Sequence, residues 1–211
     1  MDCDAAHCIS PLGIHLLPQF VDAEEEAALV AAATRPGARW TPLSGRRVQQ
    51  LGGLVHEKAG LLPAPLPSFL RPLLCRLQPL LGFEANHVLA NAYAPGEGIL
   101  PHQDGPLYTP VVGIVSLGAH TVFCFTPHAR LGTPDTPPLR VYLPPRSCLV
   151  FQGAAYEDYL HGIEAVEEDD LSACANGDAW GGGTRRREGE RISLTCRKVL
   201  KTRTGLLPGR N

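Results

Sequence analysis

The sequence lacks the marks of several large protein classes. No apolar stretch approaches the ~20 residues that cross a bilayer, so no membrane partner is expected. The N-terminus has no basic-then-apolar signal segment. The seven cysteines are scattered, no CxxC occurs, and Cys3 and Cys8 are the one close pair. Neither a zinc knuckle nor a disulfide framework is suggested. Reduced thiols and a location in the cytoplasm or nucleus are expected. Charge of one sign is not in excess: the net value is −2, so the whole molecule is no polycation. Aromatics are sparse, at 6% of the chain.

Proline and glycine, by contrast, are abundant, with 20 and 22 copies. That suits a turn-rich β architecture and argues against a helix bundle. At 211 residues with 44% apolar content, the chain can bury a full core as one domain, and a monomer is expected.

The organisation along the chain is uneven. Residues 1–10 read as a loose leader, and 12–17 are apolar enough for a first strand. Asp22 followed by Glu25 is a capping box that opens a helix to about Ala33. Residues 34–58 show little periodicity. A helix is predicted at 67–80, with Leu70, Leu73, Leu74, Leu77 and Leu81 on one face; Pro72 and Pro79 belong at its start or at a break. From Asn86 on, strands dominate: 86–94, 98–102, 111–117, 120–126, 139–143, 147–151 and 190–199. Residues 164–189 pass from an acidic cluster through Gly181-Gly182-Gly183 to Arg185-Arg186-Arg187, which reads as a flexible insertion. Residues 201–211 read as a basic C-terminal tail. Two helices followed by many short strands suggest a mainly β fold with flanking helices, a double-stranded β-helix or jelly roll.

The chemistry concentrates in three places. His102 and Asp104 form a His-x-Asp pair, and in an extended chain residues i and i+2 share a face. His161 lies far downstream. Two histidines and one carboxylate form a facial ligand set with open positions, the geometry of non-haem Fe(II) oxygenases. On 190–199, Arg191, Ser193, Thr195 and Arg197 fall on one face and Ile192, Leu194 and Cys196 on the other. Leu89, Asn91 and Tyr93 likewise share a face opposite Val88 and Ala90. Such two-faced strands imply a barrel or double sheet with a polar interior. Buried arginines need anions. Asp104 can serve one of them, and the other calls for a carboxylate from solution, which a guanidinium binds bidentately.

The ordered elements Asn-x-Tyr, His-x-Asp, distal His and Arg-x5-Arg resemble the AlkB-type Fe(II)/2-oxoglutarate dioxygenases. The stretch from Asn86 to Phe125, with PGEG, HQDGPLY and SLGAHTVFCF, is most similar to the subtype called AlkB homologue six. The resemblance spans roughly 11–163 and 189–200. It implies that His102, Asp104 and His161 bind iron and are the catalytic centre. It implies that Arg191 holds the distal carboxylate of 2-oxoglutarate and that Asn91 and Tyr93 hydrogen-bond this cosubstrate, with Ser193 beside it. Arg197 would complete the clamp or orient Asp104. The implied reaction uses O2 and 2-oxoglutarate to oxidise a C–H bond, commonly of an N-methyl group on a nucleobase in RNA or DNA. The region 34–58 would be a substrate lid. Trp40 would be its stacking or packing aromatic, Arg46 and Arg47 would contact phosphate, and Tyr108 would help shape the pocket.

Each element has a plainer reading. Alone, His-x-Asp is more often surface polar sequence than a metal site. His161, in an apolar setting, would by itself be a core histidine, Arg197 a strand-end residue and Tyr93 strand packing. Their conjunction favours the metal. His7, His15, His56, His87, His120 and His128 read as structural or exposed. Basic residues at 35–58 and 185–210 can form a local phosphate-binding surface or a solvated tail. Two other functions fit the same residues: a non-catalytic nucleic-acid-binding module and a protein side-chain hydroxylase.

Overall fold

The fold is that of a computed structural model, which describes residues 7–131 and 136–203. In chain order the strands are β1 (His7–Ser10), β2 (Ile14–Leu17), β3 (Thr41–Leu43), β4 (Arg46–Leu51), β5 (Gly53–His56), β6 (Gly60–Pro63), β7 (His87–Tyr93), β8 (Ile99–His102), β9 (Val111–Gly118), β10 (Thr121–Pro127), β11 (Leu139–Leu143), β12 (Cys148–Gln152), β13 (Tyr159–Ile163), β14 (Glu168–Asp170), β15 (Thr184–Arg186) and β16 (Arg191–Arg197). The helices are α1 (Ala23–Thr34), α2 (Arg71–Leu81) and the single turn α3 (Ala154–Glu157). The larger sheet has eight strands in the order β1-β2-β12-β9-β16-β7-β4-β3, and a four-stranded sheet, β11-β10-β13-β8, faces it. The result is the expected jelly roll with helices on one side.

Three apolar layers hold it together. Outside the large sheet, Val88, Ala90, Ala92, Ile192, Leu194 and Cys196 pack on Leu70, Leu73, Leu77 and Leu81. Between the sheets, Ile14, Leu16, Val112, Phe123, Phe125, Leu149 and Phe151 form the inner core. Outside the small sheet, Val122, Cys124 and Tyr142 are covered by Leu171 and Cys174. The alternation read along β7 and β16 therefore sorts correctly. Its apolar members meet the helices, and its polar members face inward.

Local rules set the helices. The Asp22 carboxylate accepts from Glu25 N at 2.8 Å, and Glu25 in turn pairs with Arg76 at 2.6 Å, joining α1 to α2. A 3-10 turn, Ser68–Leu70, leads into α2. Pro72 falls in its first turn, where an N–H has no partner to lose. Pro79 does not stop the helix, which runs on to Leu81 and ends where Gly82 takes φ 75°.

Four expectations change. Residues 34–58, with little periodicity in the sequence, carry the regular strands β3, β4 and β5. Strand β4 escapes periodicity because both its faces carry polar residues, Arg46 and Gln50 on one, Arg47 and Gln49 on the other. Residues 164–189, expected to be a flexible insertion, carry regular structure. β14 and β15 pair in the register Glu168↔Arg186, Asp169↔Arg185 and Asp170↔Thr184. The buried Asp169 and Arg187 join through two bonds of 2.7 and 2.8 Å. Arg187 Nη1 also donates to Glu97 O and Glu164 O, at 3.2 and 3.0 Å. The acidic and basic clusters that suggested disorder meet in two ion pairs, Asp169 with Arg187 and Glu167 with Arg186. Within the leader, 7–10 form an edge strand, and 1–6 lie outside the described residues. Of the tail, Lys201 O accepts from Leu61 N at 2.8 Å, while 204–211 lie outside the described residues. None of the described helices is long and apolar enough to cross a membrane.

Candidate metal and cosubstrate centre

His102 and His161 are direct cross-strand partners on β8 and β13, so both imidazoles point into the barrel. Their ring centroids are 4.4 Å apart. β8 ends at His102, and Asp104 follows in a loop rather than on an extended strand. The chain reaches the same place because Gln103 turns outward, its Nε2 donating to Glu157 O at 2.8 Å. One donor atom from each of His102, Asp104 and His161 lies within 4.8 Å of the others. His102 Nδ1 is 2.9 Å from Leu100 O. A carbonyl only accepts, so Nδ1 carries the proton and Nε2 offers its lone pair. Burial lowers the His161 pKa to about 4, which keeps that ring neutral, the state a metal needs. Phe123 stacks on it at 5.7 Å.

The two arginines have different tasks. Arg197 Nη1 donates to Asp104 Oδ1 at 2.6 Å, and its guanidinium lies 4.1 Å from the centre of the Tyr108 ring. Arg191 is only 3% exposed. Its Nη2 donates to Ser116 Oγ at 2.9 Å, whereas Nε and Nη1 are buried without a partner. Burial pulls its pKa down to about 10. A sequestered cation facing a cavity is a receptor for an anion. Asp104 Oδ2 is likewise buried and unpartnered, as a carboxylate oxygen kept for a cation would be. A cavity of about 70 Å³ joins these groups, with Asn91, Tyr93 and Ser193 in its wall. Burial also raises the Tyr93 pKa.

The expected lid residues separate. Arg46 lines the cavity and donates from Nε to Asn91 Oδ1 at 3.2 Å; its contact is with the pocket. Arg47 is bound by both Glu190 oxygens at 2.8 Å and lies 5.0 Å from the centre of the Trp40 ring. Trp40 Nε1 donates to Ala33 O at 3.1 Å, and the ring packs on the helix-side core. Trp40 is thus the packing aromatic, not a pocket one, and Arg47 faces away. Tyr108 supports Arg197. An open groove of about 810 Å³ runs beside His102, bordered by Ser44, Gly45, Leu100 and Pro101.

Ser116, on β9, is the residue at the site that the sequence does not single out. His87, expected to be structural or exposed, is buried directly opposite Arg197. Stepping back by two from Leu89 puts His87 on the inward face of β7.

A jelly roll that gathers a His–Asp–His cluster and an unpaired arginine in one cavity has the parts of an iron- and 2-oxoglutarate-dependent oxygenase. The chain belongs to the 2OG-Fe(II) oxygenase superfamily, whose family model matches residues 37–197. It is an oxidoreductase working with Fe(II), 2-oxoglutarate and O2, and the donor set described above fits such an ion. The similarity extends to the AlkB type: the chain is 40% identical over 207 residues to "Probable RNA/DNA demethylase ALKBH6" of Danio rerio, covering 91% of this chain and 88% of that protein. Among solved structures, OsALKBH1 superposes with a TM-score of 0.59 at 17% identity, covering 92% of this chain and 99% of that one. HygX from Streptomyces hygroscopicus, solved with nickel and 2-oxoglutarate, gives 0.55 at 13% identity, with coverages of 94% and 85%. Both likenesses bear on the fold alone.

Proposed function

We propose that the protein removes an N-methyl group from a nucleobase in RNA or DNA by oxidising it. In this reading His102, Asp104 and His161 hold Fe(II), and Arg191, steadied by Ser116, takes the distal carboxylate of 2-oxoglutarate. Asn91, Tyr93 and Ser193 line that cosubstrate, and Arg197 orients Asp104. The observation that carries it is Arg191: a buried guanidinium with two unpartnered nitrogens, in the same cavity as the three metal donors.

When bound, iron, 2-oxoglutarate and O2 together supply the oxidation of a substrate C–H bond, with succinate and carbon dioxide as coproducts. The protein's own residues bind and orient. The Leu100 carbonyl fixes the His102 tautomer. The Phe123 and Phe151 rings wall the His161 imidazole off from water. The groove along the β3–β4 hairpin brings a methylated base to the His102 side of the centre. The hydroxymethyl product then loses formaldehyde and leaves the free base. The nucleic-acid substrate is supported by the name of the Danio rerio relative, a probable RNA/DNA demethylase, and by the open groove next to His102. The six described cysteines are free, which supports the cytoplasm or nucleus.

Incubation with Fe(II), 2-oxoglutarate and N-methylated oligonucleotides, RNA and DNA in parallel, tests the reading. Succinate and formaldehyde should appear together and depend on the methyl group. Turnover with peptides but with no oligonucleotide would replace it with the protein hydroxylase.

A further inference from the structure

The inner cavity and the outer groove share a wall made of Arg46, Ile99, His102 and Ile163. Three of these belong to β8 and β13, the strands that carry His102 and His161. Arg46 comes instead from the β3–β4 hairpin. Its orientation follows from strand pairing. Arg47 sits opposite Ala92 and Val48 opposite Asn91, so Arg46 faces inward and Arg47 outward. The hairpin tip, Ser44-Gly45, borders the groove and is tied to the barrel where Gly98 N donates to Gly45 O at 3.1 Å.

The bond from Arg46 Nε to Asn91 Oδ1 has a chemical consequence. A guanidinium can only donate, so it holds the amide oxygen and turns the amide NH2 the other way. That NH2 has one long contact, 3.4 Å to Leu89 O, and keeps donor capacity for an anion in the cavity. Arg46 thus lines both the pocket for a dicarboxylate, where it also fixes the Asn91 amide, and the substrate groove.

We propose that Arg46 is a positioning residue that couples the two. It sets the Asn91 amide for the cosubstrate, and an occupied pocket in turn holds the β3–β4 hairpin in place at the groove. The coupling is reciprocal, because any ligand that favours the ordered hairpin is favoured by it. The proposal rests on the reading of the inner cavity as the 2-oxoglutarate pocket.

The test uses the full chain loaded with zinc(II), which does not turn over, with 2-oxoglutarate as the probe. Calorimetry gives its affinity, and amide hydrogen exchange reads residues 41–51 with and without it. In the wild type, 2-oxoglutarate should slow exchange across the hairpin. Arg46→Met should bind it about tenfold more weakly, the scale of one hydrogen bond near a charged group, and saturation should no longer slow the hairpin. Arg46→Lys, which keeps a donor, should recover part of both effects. Arg47→Met, on the outward face of the same strand, should behave as wild type. Wild-type values for Arg46→Met in both readouts would overturn the proposal, as would equal losses in Arg47→Met. A wild-type protein that takes up zinc but never responds to 2-oxoglutarate would instead remove the pocket reading beneath it.

Discussion

Arg197, at the C-terminal end of β16, and Asp104, in the loop after β8, lie 2.6 Å apart, nitrogen to oxygen. Only Oδ1 is engaged, and Oδ2 is left bare. The guanidinium itself lies over the Tyr108 ring. Arg197 therefore acts as the support that aims a carboxylate, and the cosubstrate is left to Arg191.

This division predicts the effect of Arg197→Met. Asp104 keeps its place in the chain but loses the group that orients it. Support groups of this kind typically contribute 10–100-fold to metal affinity, and a loss of that size is expected in a competition titration with a metal indicator. The KM for 2-oxoglutarate at saturating iron should move much less. The reverse pattern would make Arg197 part of the clamp.

Arg191→Met should separate stability from binding. In the ligand-free protein the buried cation has no counter-charge, so an isosteric apolar side chain costs little or stabilises. Thermal melting of the variant alone should match or exceed the wild type. Addition of 2-oxoglutarate should raise the wild-type Tm and leave the variant's unchanged.

The metal-free protein should weaken as pH falls. Burial lowers both His87 and His161 from 6.5 to about 4. The unfolded chain then takes up protons near pH 6.5 that the folded chain refuses until about 4. Stability conferred by the neutral rings is complete above the unfolded value and falls between these limits, by an amount on the order of a few kcal/mol. Urea unfolding at pH 7 and pH 5 reads it directly. His87→Phe should flatten the slope; an unaltered slope would exclude His87 as a contributor.

Asp169→Asn should destabilise the whole domain. It removes one partner of a buried bidentate pair and strands Arg187, a change that costs about 3–5 kcal/mol when the site is dry. A drop in Tm of several degrees is expected. A variant melting with the wild type would mean that 164–189 contributes nothing to the fold.

Much of this was legible in the sequence because period-two alternation survives wherever one strand face is apolar. β7 and β16 showed it, and with it Asn91, Tyr93, Arg191, Ser193 and Arg197 all came to the cavity. β4 hid because its inner face serves a polar pocket and its outer face carries Arg47 and Gln49, leaving no apolar register to read. Trp40 and Arg47 look like recognition residues in composition, yet a carbonyl and a carboxylate already claim them. Segment 164–189 looked disordered because composition counts charges without pairing them. The Asp169–Arg187 bond spans 18 residues and has no local signature.

The most direct test of the central claim is an anaerobic titration of the metal-free protein with Fe(II) and then 2-oxoglutarate, followed by visible absorption. A metal-to-ligand charge-transfer band should appear only after both additions, and at equal concentrations it should be lost in Arg191→Met. A folded wild-type protein that gives no band, or an Arg191→Met variant that gives the same band at the same 2-oxoglutarate concentration, would contradict the account.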